Sequence, residues 1–314
     1  MVNPSLKTAG LFAVVIALFV VVGGVVGEFL FGGLLAGLVT ALGLALAFNL
    51  VSYFLCDKFV LWSSGAKIVR PEDAPRLAHI VAELAPQFGL IEPRIAIVPT
   101  ATPNAFATGR NPKHAVVAAT EGILRLCDDR ELRGVLAHEL AHVKDRDILV
   151  MTLAATLAGA ISYLAQAFLF SEMFGGGSNG GRGNVNPILV IVAVITAPIA
   201  ALLLQLAISR SRELKADEVG ARTIHDPEAL ASALAKLEVG NARRPGPIGT
   251  PATSALCIVN PLSGGWVAGL FSTHPPMAER IRRLHAMRPE FGYLPKSSGR
   301  SGRDYSYHLP AAPR

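Results

Sequence analysis

Charge is scarce in this chain: Asp, Glu, Lys and Arg make up 17% of its 314 residues, against a hydrophobic content of 51%. That balance excludes an ordinary soluble protein of this size and obliges the apolar residues to be located. Cysteine is scarcer still. Cys56, Cys127 and Cys257 are odd in number, widely spaced and without a CxxC pair. A disulfide framework, a cysteine metal knuckle and a dithiol redox motif are therefore excluded, and a reducing compartment fits. Acidic residues fall short of basic ones, 23 against 29, and the sequence pI is about 9.4. The basic excess is not gathered into a stripe with interleaved aromatics, which are only 7% of the chain, so no nucleic-acid partner is implied.

The apolar residues are concentrated. Residues 9–27, 29–56, 148–171 and 183–209 contain no Asp, Glu, Lys or Arg, and each is about as long as the roughly 20 residues a membrane-spanning helix needs. Four transmembrane helices are expected, as hairpins at 1–56 and 148–209, although Ser162, Gln166, Pro198 and Gln205 interrupt the second pair. A cleaved signal peptide is disfavoured, because a second apolar stretch follows at once without a small-residue cleavage site. With the amino terminus inside, Lys7, Lys58, Lys67, Arg70, Lys144, Arg146, Arg210, Arg212 and Lys215 all lie on the cytoplasmic side, while the outer loops hold only Glu28, Glu172 and Arg182.

The polar parts are then two segments, 57–147 and 210–295, that together make one domain, mainly α with a small β-sheet. Pro71–Gly89 reads as an amphipathic helix. Short Ile, Val and Ala runs at Arg94–Pro99, Asn104–Thr108 and Ala115–Ala119 read as strands. Asp128 and Glu131 form a capping box that opens a helix through Leu132, Val135, Leu136, Leu140 and Val143. Further helices are expected at Pro227–Val239 and Pro275–Met287, separated by a Pro- and Gly-rich stretch at Arg244–Pro251. The Gly175–Asn184 connection reads as a flexible outer loop and 296–314 as a disordered tail.

His138-Glu139-Leu140-Ala141-His142 is an HExxH motif. On a helix, residues four apart share a face, so two imidazoles converge on one ion with Glu139 beside them. That geometry suits a single zinc ion with an open position for water and a carboxylate to act as general base. A third ligand must come from elsewhere, because Val143-Lys144-Asp145-Arg146-Asp147 follows the second His. Glu213 is a candidate by topology: His142 precedes the third apolar stretch by about 9 Å of helix and Glu213 follows the fourth by about 6 Å. Asp217 and Glu218 are its rivals, and Asp217 is also placed to orient a ligating His.

Arg212-Glu213-Leu214-Lys215-Ala216-Asp217, taken with the HExxH helix and the order of parts from the first apolar stretch to about Met287, resembles the HtpX-type membrane zinc endopeptidases. These are similar to the CAAX prenyl protease group. The resemblance implies a zincin-like α+β domain, Glu213 as third zinc ligand, and Asp147 as an acidic residue serving the site. It implies an edge strand at Asn104-Ala105-Phe106-Ala107 that pairs with substrate peptide. It also implies an oxyanion-steadying role for His274 or Arg280 in the His274-Pro275-Pro276 to Ile281 element. Leu214 departs from the Tyr often found there. The implied protein is a bacterial inner-membrane, stress-response protease with its catalytic domain in the cytoplasm, whose partners are misfolded or membrane-associated proteins and the lipid bilayer. Two alternatives are a processing protease for lipid-modified carboxy termini and a non-catalytic zinc-binding adaptor. An intact Glu139 argues against the adaptor, since a structural site has no use for a base.

Overall fold

The structure is a computed structural model and describes residues 9–10, 12–17, 20, 34–159, 210–243, 248, 253, 256–259 and 275–292. The chain enters on α1 (Leu34–Ser63), whose 30 residues span about 45 Å at 1.5 Å each. Leu35, Val39, Leu44, Leu46, Leu50 and Val51 all point outward from it, a surface that water disfavours and lipid accepts. Among the described residues this is the one helix long and apolar enough to cross a membrane. The apolar stretch at 183–209 lies outside the described residues, as do most of 9–27 and the second half of 148–171, the Gly175–Asn184 loop and the tail from 296.

Beyond α1 come β1 (Lys67–Val69), α2 (Pro75–Gln87), β2 (Arg94–Val98), β3 (Ala105–Thr108), β4 (Val116–Thr120), α3 (Glu121–Leu126) and α4 (Asp129–Lys144). An apolar helix α5 (Asp147–Gly159) follows, then α6 (Arg210–Ile224), α7 (Pro227–Arg243) and α8 (Met277–Met287). The architecture is mostly helical with one small mixed sheet. Its order is β1-β2-β4-β3, with β2 and β4 parallel and both outer strands antiparallel to their neighbours. β1 went unexpected from sequence because three residues carry no periodicity to read.

Alternation along the strands divides the sheet between two cores. Ile95, Ala105, Ala107, Val117 and Ala119 face α2, α4 and α7. Ala96, Val98, Phe106, Val116 and Ala118 face the end of α1 and α5. With both faces covered, β3 and β4 are buried throughout, which is why they read as apolar runs rather than as alternating strands.

α4 starts where its capping box demands. The Glu131 amide donates to Asp128 Oδ1 at 2.9 Å, and the Asp128 amide donates to Glu131 Oε2 at 3.0 Å. Glu131 is further fixed by Ser232 and Lys236 of α7, each at 2.6 Å. Two glycines let helices approach α4 closely: a Cβ on Gly134 would lie 2.6 Å from the Leu230 nitrogen of α7, and one on Gly220 would lie 3.0 Å from the His138 nitrogen. The second contact brings α6 directly against the HExxH turn.

Candidate metal centre

Four-residue spacing on α4 and the close approach of α6 bring three side chains to one point. His138 Nε2 and His142 Nε2 are 3.2 Å apart, and Glu213 lies 3.7 Å from the first and 3.3 Å from the second. All three are buried. Tetrahedral ligand atoms about 2.0–2.1 Å from a zinc ion sit about 3.3 Å from one another, so the spacing of this N, N, O set fits one ion. Among the described residues this is the cluster with metal-ligand spacing. Asp217 and Glu218, the rivals for the third place, go elsewhere: Asp217 lies behind His138, and Glu218 is exposed and pairs with Arg222.

Each imidazole is backed by a carboxylate, and each carboxylate by an arginine. His138 Nδ1 meets Asp217 Oδ1 at 2.9 Å. Asp217 in turn receives both arms of the fully buried Arg280 guanidinium, at 2.7 and 2.8 Å. His142 Nδ1 faces Asp147 Oδ2 at 3.5 Å, and Asp147 is gripped by Arg212. Such carboxylates fix ring tautomer and direction so that Nε2 points at the ion. Lys215 adds a tie from α6 to Asp145 at the end of α4.

Electrostatics fit the same reading. Burial alone would raise the Asp217 carboxyl, but the Arg280 guanidinium and the His138 hydrogen bond hold it down at about 2. Burial lowers His138 to about 4, with Asp217 opposing, leaving a neutral ring whose Nε2 is free to ligate. Burial would also lower His142, but Glu213 and Asp147 override it and raise the ring above its ordinary range; this point in the fold calls for a positive charge. Burial pushes Glu139 up to about 7, with His142 opposing and Glu213 assisting.

The sequence-expected residues thus converge, with one outside view: His274 lies outside the described residues. Asn104 stands at the head of β3, and Ala105 to Ala107 form the sheet edge, whose Ala107 backbone helps to hold the Glu139 carboxyl down against burial. The guanidinium of Arg280 is engaged by Asp217 and by the Ile258 carbonyl, at 2.8 Å. Sequence reasoning missed Arg212 as the partner of Asp147, although it adjoins Glu213, and missed residues 256–259, whose apolar run carries no chemical signal. Gly220 was legible only as seven residues, two turns, beyond Glu213.

The chain is similar to several known proteins. Residues 71–288 match the model of peptidase family M48. A Protease HtpX homolog of Syntrophobacter fumaroxidans is 49% identical over 286 residues, covering 90% of this chain and 98% of that protein. One from Paraburkholderia phytofirmans is 50% identical over 90% of this chain and 96% of its own length, and one from Pyrococcus furiosus is 50% identical over 85% and 91%. A crystal structure of S. mikatae Ste24p aligns with a TM-score of 0.44 at 18% identity, covering 87% of this chain and 62% of that one.

Proposed function

The chain belongs to peptidase family M48, and from that premise we propose that it is a membrane-anchored zinc endopeptidase. The observation that carries the reading is the buried His138, His142 and Glu213 cluster with Glu139 beside it. Two imidazoles and one carboxylate are the donor set of a catalytic zinc rather than a structural one, which needs four protein ligands. His138 Nε2, His142 Nε2 and Glu213 would hold the zinc ion, which would supply a Lewis acid and make water a stronger nucleophile near neutral pH.

The protein's own groups do the rest. Glu139 takes the proton of the attacking water and returns it to the leaving amine, work best done by a group titrating near the operating pH. Asp217 and Asp147 hold the two ligating rings in line, and Arg280 and Arg212 hold those carboxylates. The outer edge of β3 carries main-chain groups that an extended peptide could pair with. The outward apolar face of α1 supports membrane attachment, and the basic residues flanking the apolar stretches support a cytoplasmic catalytic domain. Substrates of this reading are misfolded or membrane-associated proteins, which present extended chain at that surface.

The test compares zinc-restored wild-type protein with Glu139→Gln on an unfolded protein substrate. Cleavage is expected in the wild type alone and is expected to stop when a chelator removes the metal. Equal cleavage by both proteins would overturn the mechanism.

A further inference from the structure

The β3 edge that a substrate peptide would use already has a peptide on it. In an antiparallel pair, alternate residues turn their main-chain groups to the neighbour. Asn104 turns its carbonyl to β4, where it accepts from the Thr120 amide at 3.0 Å, so Ala105 and Ala107 turn theirs outward. The Ala105 carbonyl accepts from the Ile258 amide at 3.0 Å. One residue along, the Asn104 side chain takes both main-chain groups of Val259: its Nδ2 donates to the Val259 carbonyl at 2.6 Å, and its Oδ1 accepts from the Val259 amide at 3.3 Å. The Ile258 carbonyl is the acceptor for Arg280 at 2.8 Å. Val259 thus lies at Asn104 and Ile258 at Ala105. The segment is a turn followed by bends rather than a fifth strand, since the Ala105 amide donates to the Asn104 side chain at 3.2 Å and, among the described residues, the Ile258 amide makes the one main-chain bond to β3. Leu256, Cys257, Ile258 and Val259 are 0–7% exposed.

We propose that Leu256–Val259 is a built-in occupant of the β3 edge, held there by Asn104, Ala105 and Arg280, and that substrates act by displacing it. The proposal rests on the protease reading and sharpens its substrate class. The competitor must be an apolar stretch able to take over the Ala105 carbonyl and the Asn104 side chain, with branched aliphatic residues like Ile258 and Val259. Folded or strongly charged segments cannot replace these contacts, so the occupant keeps the site closed to ordinary surface loops.

Ile258→Pro tests this, because proline has no amide hydrogen to donate to Ala105. One net hydrogen bond of this kind is worth about fivefold in an equilibrium constant. The expected result on an unstructured apolar peptide is a KM lower by about fivefold with kcat unchanged; an unchanged or higher KM in a folded variant overturns the proposal. A second measurement does not depend on that variant folding. In Glu139→Gln, which retains the cleft but does not cut, alkylation of Cys257 followed by mass spectrometry is compared with and without the same peptide. Saturable acceleration of Cys257 alkylation by the peptide is expected, and protection or no change overturns the proposal. Failure here with Glu139→Gln inactive leaves the protease reading standing, whereas Glu139→Gln with wild-type activity removes that reading itself.

Discussion

Arg280→Met isolates the deepest charged contact of the site, since Met approximates the length of the side chain and removes only the guanidinium. In the wild type, Asp217 is held at about 2 against an ordinary 3.8. A drop of that size corresponds to about 2 kcal/mol favouring the charged carboxylate in the fold. A depressed carboxyl contributes this stability above its ordinary pKa and loses it as pH falls through about 2, so at neutral pH it is fully present. Without Arg280, burial is the dominant influence left and pushes Asp217 up. The variant then carries a buried, uncompensated carboxylate at pH 7, which costs about 3–5 kcal/mol, and the cost is relieved as the group protonates on acidification. Zinc affinity should fall about 10- to 100-fold, because His138 loses its fixed partner. The assays are the thermal midpoint of the detergent-solubilised, zinc-loaded protein at pH 7, 6 and 5, and zinc competition with a chelator at pH 7. The midpoint gap to wild type should narrow as pH falls, and adding Asp217→Asn to Arg280→Met should recover part of the loss. A variant that melts with wild type at pH 7 and keeps its zinc affinity refutes the reasoning.

Two further outcomes are expected. Arg212→Ala leaves Asp147 without its grip, and zinc affinity should fall by about tenfold. The loss should be smaller than for Arg280→Met, because Asp147 meets His142 at the longer distance of 3.5 Å; chelator competition measures it, and Arg212→Lys should rescue it in part. Burial pushes Glu139 up to about 7, and a bound cation works against that, so the acid limb of kcat/KM should lie at or below pH 7. The base must be ionised, hence activity falls as pH falls through that limb, and a profile flat down to pH 4 would exclude Glu139 as the base.

The local features of the site were legible from sequence because each is set by neighbours along the chain. The Asp128 and Glu131 capping box fixes where α4 begins, and with that phase set, His138 and His142 must share a face. The same holds for α1, whose uncharged run from Leu34 to Cys56 is a compositional fact. The joining of Glu213 to the two histidines was argued from a pair of spans of which only the first half of the first, 148–159, is among the described residues. What the structure shows instead is helix packing: the absence of a side chain at Gly220 lets α6 sit against the His138 backbone.

Less local arrangements left weaker marks. Asp217 and Arg280 are 63 residues apart and form a buried pair only because α6 and α8 both pack near α4. Asn104 was recognisable as the head of an edge strand, yet nothing in Leu256 to Val259 announced that those residues lie along it, 155 residues away in the case of Val259. Periodicity, caps and charge gaps act between residues a few positions apart, and the sequence by itself determined the HExxH helix, the apolar anchor and the short buried strands through them. Which helix supplies the third ligand's neighbourhood, which arginine backs which aspartate, and what fills the β3 edge depend on the sum of many weak packing terms between distant segments. Those were decided only when the chain closed on itself.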